Sequence, residues 1–238
     1  MTIPFWLTVL AWVWLMSALA CAVVTAADEL RHPQAMAVMN VVWPVTALYG
    51  SVAALWGYFA AGRGMAKDGM PGAMHSGEHT SGKKRGEAAR PTLRQMAIAA
   101  SHCEAGCMLA DIAGETLVYR MGWKVGGESL YAEYLVTLGL AWLFGVAFQY
   151  FSIQPMTQMP PGKAVVAAIR ADTLSIVFFQ MGMYGWMALV YFLLFPHPHL
   201  RPDEPAFWFP EQVGMMVGFV TTMPVNGWLV RRGVKEAM

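Results

Sequence analysis

Residues 96–118 read MAIAASHCEAGCMLADIAGETLV, and this stretch decides how the chain is to be understood. It is apolar enough to enter a bilayer, yet it carries His102, Cys103, Glu104, Cys107, Asp111 and Glu115. A charged side chain at the centre of a spanning helix costs roughly 2.5–3.5 kcal/mol on insertion scales. A helix with several such groups has to turn them toward a protein interior or a wet cavity. An ionisable group inside a membrane therefore reads first as a functional site.

On a helix turning about 100° per residue, Cys103, Cys107 and Asp111 follow one slowly drifting stripe that rises about 6 Å per step. Two thiolates at i and i+4 can converge on one soft ion, and thiolate with imidazole suits Cu(I) or Zn(II). The same two thiols are poorly placed for a mutual disulfide on an intact helix, because their Cβ vectors run parallel. His102 sits a quarter-turn away and joins as a third ligand where the helix is distorted or lies between two partners. Gly106, Ala110 and Gly114 form a second stripe of small residues, which lets another helix approach closely. The competing reading makes both cysteines small buried packers.

The rest of the chain agrees with a membrane setting. Of its 238 residues 57% are hydrophobic and only 13% charged, well below the roughly 25% of soluble domains. A net charge of +1 gives no electrostatic reason to expect nucleic acid, and three cysteines make no disulfide framework. Apolar runs at 4–27, 36–61, 96–118, 129–151, 163–195 and 206–230 are each near the ~20 residues a helix needs to cross. These predict a single all-α transmembrane bundle over 1–238 with six spans. The first run has no Lys or Arg before it and is longer than a signal-peptide core, so it is expected to be retained. Residues 62–95, rich in Gly, His and charge with no helical or strand period, predict a flexible loop. Pro44 and Pro224 predict kinks that free backbone carbonyls, with Asn40 and Asn226 near enough to satisfy them.

Positive charge predicts orientation. The loop holds Arg63, Lys67, Lys83, Lys84, Arg85, Arg90 and Arg94. With six spans, Lys163, Arg231, Arg232 and Lys235 share its side, leaving Arg31, Arg120, Lys124 and Arg201 opposite. The loop and both termini are thus expected in the cytoplasm. Helix rise from the inner ends of the third and fifth spans puts Asp172 in one layer with the two cysteines, with Arg170 nearby either as its counter-ion or snorkelling inward. Asp111, Glu115 and Gln180 continue outward as a polar path. His32, His197 and His199 are candidates for metal capture on the outer face. Met70, Met74, His75 and His79 form a soft-metal tract in the loop.

Several stretches carry a resemblance: HPQAMAVMNVVWPVTALYG (32–50), SHCEAGCMLADIAGE (101–115), FGVAFQYFSIQPM (144–156), ADTLSIVFFQMGMYGWMAL (171–189), FPHPHL (195–200) and PVNGWLVRRGVKEAM (224–238). They resemble a bacterial family of polytopic membrane proteins catalogued as a domain of unknown function. The family's third span carries His-Cys-Gly-x-Gly-Cys followed by Asp. Here His102, Cys103, Gly106, Cys107 and Asp111 match, while Glu104 stands where Gly is common. The resemblance implies a multi-pass protein of the cytoplasmic membrane and implies no activity.

These residues predict a protein that binds or transports a soft transition metal, copper first and zinc second, through Cys103, Cys107 and His102. No phosphate loop and no aspartyl-phosphate DKTG occur in the sequence. The alternatives are a membrane thiol oxidoreductase using Cys103 and Cys107, which lack the C-x-x-C spacing common to such enzymes, or a non-catalytic subunit of a membrane complex. Expected partners are the lipid bilayer, a metal ion, and a second copy or a larger membrane assembly.

Overall fold

The computed structural model describes residues 3–34, 36–63, 93–157 and 160–235, and within these not the side chains at 61, 93–95, 99, 102 and 155–157. The expected loop at 62–95, with its Met and His tract, lies mostly outside the described residues. Six long helices form one bundle: α1 (Phe5–Arg31), α2 (Met39–Gly57), α3 (Leu93–Met121), α4 (Ser129–Thr157), α5 (Pro161–Leu189) and α6 (Pro205–Arg231). Single π-helical turns extend α2 through Tyr58–Gly62 and α5 through Val190–Leu194. The all-α transmembrane architecture is as the apolar runs predict.

Two helices reverse what composition says of them. Among the described residues five helices are long and apolar enough to cross a membrane, α2 among them and α3 not. Yet α3 runs the length of the bundle. Its 29 residues span about 43 Å at 1.5 Å per residue. Met96 near its start lies against Gly227 at the end of α6, and Tyr119 near its finish bonds Arg201 before α6 begins.

By contrast, α2 folds back on itself. Ser51 has φ 45° and ψ −128°, which breaks the helix. The rings of Trp43 and Tyr58, fifteen residues apart, lie 5.5 Å from each other. A straight helix would separate them by about 22 Å. Beyond them, a Cβ on Gly62 would meet the Trp43 ring at 2.5 Å, so only glycine fits where the returning arm crosses. The break falls at Ser51 and not at Pro44, where the sequence predicts a kink. Both arms of α2 open at the same end of the bundle, beside the end of α1, where Tyr58 and Arg63 reach Asp28 at 2.8 and 3.1 Å.

This changes the path of the chain. We call the end that holds Lys235 the tail end and the other the far end. Leu7, at the start of α1, packs with Val190, Leu200 and Phe207 at the far end. The chain therefore crosses the bundle in α1, α3, α4, α5 and α6, and enters from the tail end and returns in α2. The two termini lie at opposite ends, not together as six straight spans require. Arg31 and His32 consequently lie at the tail end, beside Arg63, Lys163, Arg231, Arg232 and Lys235, leaving Arg120, Lys124 and Arg201 at the far end.

A main core of Val42, Tyr49, Ile98, Cys103, Cys107, Ile176, Phe179, Met183 and Met215 joins α2, α3, α5 and α6. Polar groups thread this core, and α3 carries the buried carboxyls Glu104, Asp111 and Glu115 among them.

A polar axis along the third helix

The α3 helix presents two stripes, and each meets what its chemistry requires. On the small stripe, a Cβ on Gly106 would lie 2.7 Å from the backbone nitrogen of Gly145, and one on Gly114 would lie 2.7 Å from Thr137. Close approach of α4 is thus built on missing side chains, as the spacing predicts. The other stripe faces the α2 break, α5 and α6. Cys103, Glu104, Cys107 and Asp111 on it are fully buried, and Glu115 is 5% exposed.

At the tail-end half of the axis, the two thiols lie side by side, and Cys103 is within hydrogen-bonding reach of Asp172. Asp172 thus shares their layer, as helix rise predicts. Its counter-ion is not Arg170, which is exposed and lines a surface cavity with Lys163 and Val234. The charge comes instead from Lys235, whose Nζ lies 2.9 Å from Asp172 Oδ1 and 3.2 Å from Asn226 Oδ1. Ser175 donates to the same Asn226 oxygen at 2.6 Å, and Thr222 donates to the Ser175 carbonyl. Asn226 thus serves the Lys235 site and not a proline kink. Burial is the strongest single influence and works against the Lys235 ammonium, but Asp172, with Cys103 and Glu104 behind it, together outweighs burial and holds the group above its usual range.

The α2 break meets this layer from the side. Tyr49 donates to Glu104 Oε2 at 2.6 Å, and Gln212 of α6 donates to the Leu48 carbonyl at 2.6 Å. Ser17 of α1 bonds Ser51 at 3.0 Å. Irregular backbone at membrane depth is tolerated only where protein satisfies it. Gln212 does that here for the Leu48 carbonyl while Ser17 pairs with the Ser51 hydroxyl, which places the tip of α2 beside the thiol layer.

Toward the far end the axis turns acidic. Asp111 faces the Gln180 amide of α5 and the Glu211 carboxyl of α6. Glu211 and Glu115 lie within hydrogen-bonding reach of each other, and Glu133 of α4 adds a fourth carboxyl beside them. Glu133 also lines a small cavity at the far end with Ser129, Tyr191 and Phe207.

The chain matches the model of domain of unknown function DUF4396 over residues 92–235. It belongs to that family. The matched region contains α3 to α6 and ends at Lys235, so it holds the whole axis, while α1, α2 and the resembling stretch at 32–50 lie outside it. No curated protein and no solved structure matches the chain.

The axis gathers Cys103, Cys107, Asp172, Asp111, Glu115 and Gln180, which the sequence singles out. It adds Glu211, Glu133 and Lys235, which it does not. Glu211 and Glu133 lie one to two turns inside their helices, where a carboxylate reads as an interfacial charge. Lys235 reads as a tail charge. The outer histidines are not brought together. His32 lies at the tail end, 3.3 Å from Asp28, whereas His199 stacks on Tyr191 at the far end with its ring 5.3 Å from that of His197. Among the described residues, no three His, Cys, Asp or Glu side chains are placed to hold one metal ion.

Proposed function

We propose that this protein moves a soft metal cation, Cu(I) foremost, across the bacterial cytoplasmic membrane, with Cys103 and Cys107 as its central ligands. The observation that carries this reading is the thiol pair itself. Two adjacent sulfurs lie sealed in the bundle interior beside Asp172, where the tip of α2 meets α3. Soft thiolate ligands select Cu(I) among biological cations. A two-coordinate ion asks for no more than two of them, and His102 is available as a third.

Orientation follows from charge. The tail end gathers Arg31, Arg63, Lys163, Arg231, Arg232 and Lys235, and segment 64–92, which begins and ends there, adds Lys67, Lys83, Lys84, Arg85 and Arg90. We place this end in the cytoplasm and the N-terminus outside.

Metal analysis of purified protein loaded with Cu(I) under reducing conditions tests the reading. Stoichiometric copper is expected in the parent and loss of it in Cys103→Ser/Cys107→Ser. Equal copper in both, or none in either, overturns it.

A further inference from the structure

The acidic half of the axis poses a separate question. Four carboxyl groups from three helices, Asp111 and Glu115 of α3, Glu133 of α4 and Glu211 of α6, face one another inside the bundle. The other titratable groups near them include the phenols of Tyr134 on α4, Tyr184 on α5 and Tyr191 just beyond α5, and Cys107 below. No Lys, Arg or His faces them among the described residues. Several carboxylates cannot share such an interior as bare anions, because each would cost several kcal/mol to desolvate on top of mutual repulsion. They need protons or a cation.

Two observations favour protons. First, the carboxyls do not converge. They follow one another along the axis, and no three of them are placed to ligate one ion. Second, Gln180 is aimed into the row. It is 1% exposed, and neither of its amide atoms has a hydrogen-bond partner, though it faces Asp111. An unsatisfied buried amide costs about 1–3 kcal/mol, so it stands ready to bond a group that changes between donor and acceptor. A carboxyl gaining and losing a proton is such a group. The Glu115–Glu211 pair points the same way: both Glu211 oxygens are without a hydrogen-bond partner, and two carboxyls this close can bond each other only with a proton between them.

We propose that Asp111, Glu211, Glu115 and Glu133 form a proton-transfer row that opens at the far end through the cavity at Glu133. A proton that enters at Glu133 is handed from carboxyl to carboxyl and leaves by the same mouth, so the charge of the row rises by one while it holds that proton and returns when the proton is released. Gln180 closes it at the inner end. Glu133 is the mouth because it alone of the four lines the cavity with Ser129 and Tyr191, and Tyr191 in turn donates to Glu128 at 2.7 Å. The proposal stands apart from the metal reading, since it uses neither thiol.

Infrared spectroscopy of the full-length protein in lipid nanodiscs tests it, because a protonated carboxyl shows a C=O band that shifts on exchange into D₂O. Such bands are expected at neutral pH in the parent and in Cys103→Ser/Cys107→Ser alike. Glu211→Gln should remove one band. Glu133→Gln should leave the inner bands in place and slow their exchange on the order of tenfold or more, with Glu133→Asp restoring the rate. Unchanged amide bands establish that each variant is folded. Absence of carboxylic-acid bands in the parent would mean that the row holds a cation instead. Exchange in Glu133→Gln as fast as in the parent would mean that the row does not open there. Either result overturns the proposal, and neither bears on copper binding.

Discussion

Lys235 reaches back from beyond the last helix to place its Nζ 2.9 Å from Oδ1 of Asp172, and both side chains are fully shielded from solvent. The charge assigned by sequence to a free tail is the counter-ion of a fully buried aspartate. Removing one member of such a pair strands the other, which typically costs 3–5 kcal/mol, whereas replacing both can be neutral. Lys235→Met should therefore lower stability by about 3–5 kcal/mol, and Asp172→Asn added to it should restore most of the loss. Chemical unfolding of the parent and the two variants in mixed micelles checks this. Equal damage in the single and double variants would mean that Lys235 acts through packing alone.

Topology offers a second test. With α2 entering and leaving at the tail end, reporters fused at the N-terminus and near Pro198 should both behave as extracytoplasmic. Reporters near Gly82 and after Met238 should behave as cytoplasmic. Six straight spans would instead place the N-terminal reporter inside.

The break in α2 makes a third. Ser51 holds φ 45°, which favours glycine, and strain of this kind costs about 1–3 kcal/mol. Ser51→Gly removes that strain and loses the bond to Ser17, worth about 1 kcal/mol. It should leave stability unchanged or raise it by about 1 kcal/mol. Ser51→Val should destabilise by more than the Ser–Ser bond is worth, because a β-branched side chain tolerates positive φ poorly. The ordering of thermal midpoints, Gly at or above Ser and well above Val, is the readout.

Close packing of α3 on α4 makes a fourth. The Cβ added by Gly106→Ala would press against the Gly145 backbone, which cannot swing aside as a side chain could. A loss of about 1–3 kcal/mol is expected. Gly139→Ala, where a Cβ meets nothing within 4 Å, should be silent or mildly stabilising in the same assay. Similar losses at both sites would show that the α3–α4 approach is looser than the geometry requires.

Tyr49 tests the seam between α2 and the axis. Its hydroxyl gives Glu104 its one hydrogen bond, while the second carboxyl oxygen has none. Tyr49→Phe should cost about 1–3 kcal/mol, the penalty of leaving a buried acceptor unpaired. Glu104→Gln beside it should recover part of that, since a neutral amide is cheaper to bury than a charged group.

Much of this protein is legible in residue order. Run length and low charge fix a helical membrane bundle, because a bilayer admits no backbone that is not internally bonded. The i, i+4 spacing of Cys103, Cys107 and Asp111 fixes one polar stripe, and the glycine spacing beside it fixes a close neighbour. Rise per residue fixes Asp172 in the cysteine layer. These are local properties, set by helix geometry alone.

What only the tertiary structure decided is direction and pairing. An apolar run of 22 residues reads as a span whether it crosses or doubles back. The difference rests on one residue, Ser51, and on Gln212 and Ser17 from distant helices that satisfy the broken tip. That single reversal moves the N-terminus to the far end and parts His32 from His197 and His199. In the same way, no spacing rule joins Lys235 to Asp172 or Glu211 to Glu115. Those partners lie 63 and 96 positions apart in the chain and meet because α5 and α6 pack against the polar stripe of α3. Residue order names the groups that must be hidden, and the packing of helices from elsewhere in the chain decides against which they are hidden.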